Sequence, residues 1–378
     1  MIKLITENST LITFFIFCSV FHFGFAQERE MQSNGRLILG TYEERTASLA
    51  TGDIDGDSDI DVIVANGRHW PGQNRVFINN GRGIFTVEKN LGDERATSYA
   101  AELADFDNDG DLDIAVGNDM APNYIYKNDG KGNFTKSASF GADYAPTRNL
   151  TLGDLDKDGD IDILITNRGS TNEICLNNGE GIFSKSLDFG NKKDATIDVA
   201  IADLNKDGNL DLILANRDAQ SNYIYLNDGL LNFSDKIPFG TGTDNTRSLA
   251  IADVNKDALP DIIVANIGEP NVIYFGSDTN PYNTSLVYDT ASLNSYAVAV
   301  ADLDLDNDMD IILGNSGAPN TIFLNAGDGL NWTNITLSND EFRTYDIISA
   351  DLNNDGFSDI MEANSDALNQ YYMNRKKN

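Results

Sequence analysis

One carboxylate-rich segment of nine residues recurs seven times along the chain, starting at Asp53, Asp105, Asp154, Asp203, Asp253, Asp302 and Asp351. The intervals are 52, 49, 49, 50, 49 and 49 residues. A period of this size constrains the fold more than any local signal, because each unit is one supersecondary module that buries its apolar faces only against its neighbours. The second repeat shows what the module is. Tyr99–Ala104 leads into the acidic segment Asp105–Asp113, and Ile114–Gly117 follows. Tyr124–Tyr126 and a stretch from Phe134 to about Gly141 complete the unit. Each piece is short, rich in β-branched or aromatic residues and bounded by Gly, Asn or Asp, which predicts strands and turns; no helical periodicity is visible after the N-terminus.

Four short strands per repeat, seven times, predict an all-β, seven-bladed β-propeller of four-stranded blades. Several columns hold in all repeats. The residue before each acidic segment is small: Gly52, Ala104, Gly153, Ala202, Ala252, Ala301 and Ala350. A Ser or Thr lies seven residues before it, from Thr46 to Thr344. The third strand carries Phe77, Tyr126, Cys175, Tyr225, Tyr274, Phe323 and Tyr372, so Cys175 reads as a smaller core residue and not as a catalytic thiol. Repeat five is irregular, with Ser277–Ser285 in place of the usual Gly-x-Gly turn. Repeat seven stops at Tyr371–Asn374 without a fourth strand, while Asn34–Gly40 resembles one. The N-terminal strand is therefore expected to complete the last blade and close the ring.

Lys3, the apolar run Leu11–Phe25 and the small-x-small triplet Gly24-Phe25-Ala26 predict a signal peptide over 1–26, with 27–378 as one exported propeller domain. Its apolar run is too short for a transmembrane helix of ~20 residues. Secreted, periplasmic or cell-surface localisation follows as the expectation. The mature chain keeps one cysteine, which excludes an intramolecular disulfide. Formal charge is −32, which argues against nucleic acid or an anionic membrane as partner.

Much of that charge is metal-ligand chemistry. Of 59 Asp and Glu, 29 are Asp inside the seven segments. The second segment supplies Asp105, Asp107 and Asp109 at positions one, three and five, Gly110 at the turn, Asp111 at seven and Asp113 at nine. Carboxylates at one, three, five and nine, with a backbone carbonyl at seven, make an all-oxygen shell suited to Ca²⁺ and not to Zn²⁺. The same positions are Asp53, Asp55, Asp57, Asp59 and Asp61 in repeat one, and Asp154, Asp156, Asp158, Asp160 and Asp162 in repeat three. Repeat four has Asp203, Asn205, Asp207, Asn209 and Asp211; repeat five has Asp253, Asn255, Asp257, Leu259 and Asp261. Repeat six has Asp302, Asp304, Asp306, Asp308 and Asp310; repeat seven has Asp351, Asn353, Asp355, Phe357 and Asp359. Up to seven Ca²⁺ are expected, one per blade. The Asp253 segment is expected to be the weakest, because Ala258 replaces glycine at the turn and Pro260 follows.

The pattern DxDxDGxxD followed at once by an apolar strand, repeated in register over nearly the whole mature chain, resembles the FG-GAP/VCBS repeats of integrin α-chain propellers and of many secreted bacterial proteins. The resemblance implies a calcium-binding hairpin between the first and second strands of each blade. For function it is permissive, since adhesion modules, lectins and enzyme-appended domains share it.

A binding face is expected on the side away from the hairpins, where the repeats diverge. Paired asparagines such as Asn66 and Asn74 read as turn-internal hydrogen-bonding residues. Between the first pair lie Arg68, His69 and Trp70 in the longest such turn, either a platform for a sugar or protein contact or a side chain folded onto a neighbouring blade. Six residues before each acidic segment stand Ala47, Tyr99, Arg148, Ile197, Arg247, Tyr296 and Tyr345. These are expected to ring the channel mouth, as ligand contacts for a polar, anionic or saccharide group or as lids. Glu102 and Glu362 interrupt apolar columns; each is either functional or paired with a nearby Arg. The chain thus reads as a secreted, calcium-stabilised binding or adhesion module for a glycan (lectin-like) or a surface protein. The alternative is a polysaccharide lyase or hydrolase using the same face, although no catalytic set is legible.

Overall fold

Alternating small and β-branched residues between tight turns fold each repeat into a four-stranded antiparallel sheet. The computed structural model describes residues 29–279 and 281–377, and among these there are strands and turns but no helix. The segment 1–26 lies outside the described residues. The seven sheets form a closed propeller. Their first strands, such as Ser98–Ala104 and Thr246–Ala252, line a central channel, and their second strands are buried at every position.

Seven apolar cores lie between adjacent blades. The one that closes the ring joins Leu49, Val62, Val64 and Phe77 of blade one to Met361, Tyr371 and Met373 of blade seven. The third-strand aromatic column is buried throughout, and Cys175 packs among Phe140, Ile163 and Ile165. Burial pushes its thiol up to about 12, so it carries no thiolate near neutrality.

Closure occurs through the N-terminus. Ile38 and Leu39 pair with Gln370 and Asn369. Arg29–Gln32 pairs with Met373–Lys376, so the fourth strand of blade seven begins five residues earlier than the Asn34–Gly40 pattern suggests. The Arg29 guanidinium anchors this stretch by donating to the Asn374 side chain and carbonyl.

A belt of side chains reinforces the seams on the face opposite the acidic hairpins. In every blade the backbone N–H of the first paired asparagine donates to the side-chain oxygen of the second. At six of the seven interfaces the second asparagine also donates to the Ser or Thr of the next blade, as Asn74 does to Ser98 at 2.8 Å and Asn369 to Thr46 at 3.0 Å. The constant columns therefore serve between blades as well as within turns.

Candidate functional site

In each acidic hairpin the position-one carboxylate accepts backbone N–H groups from later in the segment. Asp53 takes those of Gly56, Asp57 and Ser58, and Asp105 those of Asp109 and Gly110. This wraps the chain around one point. The wrap requires positive φ at the turn, whatever the residue: Gly110 has φ 95°, Ser58 70°, Ala258 64° and Asn307 66°. The last three are strained relative to glycine.

Asp53, Asp55 and Asp57 converge with ligand oxygens within 4.8 Å of one another, as do Asp105, Asp107 and Asp109, and Asp302, Asp304 and Asp306; in repeat three the converging set is Asp154, Asp156 and Asp162. Buried oxygens of Asp55, Asp107 and Asp154 have no hydrogen-bond partner in the protein. Unpartnered carboxylate oxygens turned toward one another fit a hard cation such as Ca²⁺. Repeats four, five and seven differ, because the amides of Asn205, Asn255 and Asn353 donate to Asp207, Asp257 and Asp359.

Two positions have duties that ligand arithmetic misses. At position nine, Asp61 accepts the N–H groups of Ile54 and Asn79, and its counterparts accept the equivalent pair in most blades. It pins the hairpin to the end of the third strand. Burial raises these carboxyls to about 6 in Asp61, Asp113, Asp162, Asp261 and Asp359, and to about 7 in Asp310. At position seven the side chain meets position four of the preceding blade: Asn108 donates to Asp160, Lys157 to Asn209 and Asn354 to Asp59, while Lys256 pairs with Asp308.

The opposite end of the channel opens differently. Every first strand carries a β-bulge between the Ser/Thr column and the residue two further on. The extra residue is the variable one six before the acidic segment. A bulge leaves that residue out of the ladder and re-aims its side chain, which is why Tyr99, Arg148, Arg247, Tyr296 and Tyr345 all line the mouth. Turns after the second strands of three blades add Arg68, His69, Arg168 and Arg217, around a cavity of about 260 Å³. Five of the chain's 13 arginines thus surround one opening of a protein with charge −32.

Most of these groups are held by one another. Arg68 is buried, stacks on Tyr345 at 3.8 Å and donates to Ser365. Arg148 pairs with Asp119 at 2.8 Å and lies over Tyr99. Arg168 and Arg217 share Asp218. The Tyr99 hydroxyl lies 2.9 Å from His69 Nδ1. Burial, with Arg68 and Arg148 close by, lowers the His69 pKa, and burial raises that of Tyr99. Tyr296 and Tyr345 meet edge to face. Trp70 is 66% exposed and does not line this cavity, so the structure does not gather Arg68, His69 and Trp70 into one platform.

Below the mouth, a channel of about 500 Å³ is lined by Asn149, Asp198, Ser248, Asp346 and Glu102 among others. The expectation of a local Arg partner fails for both outlying glutamates. Glu102 faces the channel with Asp346 and Asp198 as its nearest charges, and burial raises it to about 8. Glu362 sits in the seam between blades six and seven, where it accepts from Asn320 at 2.7 Å and Asn364 at 3.3 Å. The two lie in different places and make no catalytic pair.

The geometry defines a seven-bladed propeller with an acidic hairpin at one end of each blade and an Arg/Tyr-lined mouth at the other. A profile of the FG-GAP-like repeat matches residues 53–116, 105–165, 154–214, 203–264, 253–313 and 302–361, and the chain belongs to that family. A search of the curated proteins finds no match. Among solved structures, BBS1N in complex with ARL6DN, soaked with lead, superposes with TM-score 0.64 at 13% identity, covering 93% of this chain and 98% of that one. Raptor from Chaetomium thermophilum gives TM-score 0.59 at 11% identity over 93% of this chain and 29% of that one. At such identities the likeness is one of fold.

Proposed function

We propose that the chain is an exported, Ca²⁺-stabilised binding module that takes a saccharide at the channel mouth opposite its acidic hairpins. The observation that carries this reading is the bulge-presented ring of Tyr99, Arg148, Arg247, Tyr296 and Tyr345 above a polar channel. Aromatic edges beside fixed charges and small polar groups suit a hydroxyl-rich ring. Exposed Trp70 offers a second apolar surface. The hairpins supply stability and no chemistry, since seven similar cages serve a ring better than a reaction. Export rests on the signal-like segment 1–26.

A glycan array probed in millimolar Ca²⁺ and again in chelator tests the reading. Calcium-dependent binding to defined sugars, weakened by Tyr296→Ala or Trp70→Ala without loss of thermal stability, supports it. Shortened glycan products would instead identify the lyase or hydrolase, with the hydrogen-bonded His69 and Tyr99 as first candidates. No binding to any glycan would transfer the mouth to a surface protein, a second reading favoured by a fold neighbour found in complex with ARL6DN.

A further inference from the structure

Arg247 differs from the other arginines of the mouth. Arg68, Arg148, Arg168 and Arg217 are engaged by Ser365, Asp119 or Asp218. Arg247 makes no hydrogen bond or ion pair among the described residues; its one ring contact is a distant one, 5.9 Å from the centre of Tyr296. It is half-buried, and like Arg148 it lines both the mouth and the channel beneath it. Asp198 and Asp346 add favourable charge but form no ion pair with it, and each accepts hydrogen bonds from elsewhere. Asp198 accepts from Leu249 N–H at 3.0 Å and from the Asn149 amide. Asp346 accepts from the N–H groups of Leu49 and Ile347, each at 2.9 Å.

A guanidinium that lines a cavity without a protein acceptor is open to a ligand, and its planar fork matches a carboxylate or sulfate with two parallel hydrogen bonds. We infer that Arg247 is the anchor for a single oxyanion carried by the ligand, which, on the saccharide reading above, makes the ligand a terminal acidic sugar entering end-on. Three features fix this class. A closed ring of side chains admits the end of a chain and not its middle. Arg68, which has no carboxylate partner among the described residues, adds positive charge at the mouth, whereas Asp198 and Asp346 below it repel a second anionic group. Asp198 and Asp346 as acceptors, with protonated Glu102, Asn149 and Ser248, line the depth where the hydroxyls of a neutral ring face would lie.

The test is calorimetric titration of the purified full chain in Ca²⁺ with trigalacturonate, with galactotriose and with inorganic sulfate. Trigalacturonate is expected to bind at least tenfold more tightly than galactotriose, with affinity falling as salt rises. Arg247→Gln should abolish that preference, and Arg247→Lys, which keeps charge and loses the fork, should fall between. If Arg247→Gln misfolds by circular dichroism, the Lys variant carries the comparison. Equal affinity for the acidic and neutral trisaccharides, or unchanged acidic binding in the folded variant, overturns the inference while leaving the saccharide reading in place. If neither trisaccharide binds, sulfate decides: saturable binding lost in Arg247→Gln keeps the oxyanion site, its absence in the parent removes it, and the glycan array alone judges the saccharide reading.

Discussion

At the scale of single residues, Glu102 is the most informative departure from the repeat. It stands where other blades carry mostly alanine, and it is legible in sequence as an oddity. Its surroundings are not, because Asp198 and Asp346 reach it from blades four and seven. Burial first, then those two charges, raise its carboxyl from 4.5 to about 8. A raised carboxyl keeps its proton in the folded state, so the contribution of Glu102 to stability is fully present below about pH 4.5 and is lost as pH rises toward about 8. Glu102→Gln should remove this decline. Thermal melts of parent and variant should coincide near the lower pH and separate by about 1–2 kcal/mol in the variant's favour at the upper, less than the whole shift because the carboxyl faces channel solvent. Parallel pH profiles would mean that Glu102 is ionised at no cost. Cys175 is the opposite case. Its column position alone identified a core residue, and the packing agrees.

At the scale of the hairpin, the acidic spacing was legible and the stitching was not. Six blades carry an asparagine at or near the end of the third strand, and its amide joins the hairpin of its own blade to that of the blade before in five of them. Asn325, for example, donates to Val254 O at 2.8 Å and to Met309 O at 3.3 Å. Blade five has Gly276 there, and the irregular Ser277–Ser285 turn compensates by burying Tyr282, whose hydroxyl donates to Pro260 O. Removing a buried amide that serves two carbonyls costs about 1–3 kcal/mol. Asn325→Ala should therefore lower stability in chemical denaturation by that amount, whereas Asp328→Ala, on the exposed turn beside it, should change it little. The hairpins themselves fit hard cations where carboxylates converge in repeats one, two, three and six. Chelation should lower the melting temperature, with Asp107→Asn weakening the calcium-dependent part; superimposable melts with and without chelator would remove metal from the account.

For the whole molecule the decisive contact is the one between its two ends. Leu39 is 2% exposed and belongs to the core shared by blades one and seven. Because each blade packs only on its neighbours, a defect at this seam opens the ring instead of being spread over it. Leu39→Ala should cost about 2–4 kcal/mol, and hydrogen exchange should quicken first along Asn369–Lys376 and Thr46–Gly52. Uniform exchange across all seven blades would contradict closure at this seam. The sequence by itself determined the number of blades, their strand order, the positions of the hairpins and closure through the N-terminus, though not the Arg29–Gln32 strand that pairs with Met373–Lys376. These follow from a fixed period and from local turn chemistry, which act over a few residues. Only the tertiary structure decided which side chains share the channel. Tyr99, Arg148, Arg247, Tyr296 and Tyr345 come from different blades and are separated by as much as 246 residues, and a bulge in each first strand aims them at one axis. The meeting depends on ring closure, and no local pattern records which arginines find carboxylates there and which one, Arg247, is left without an acceptor.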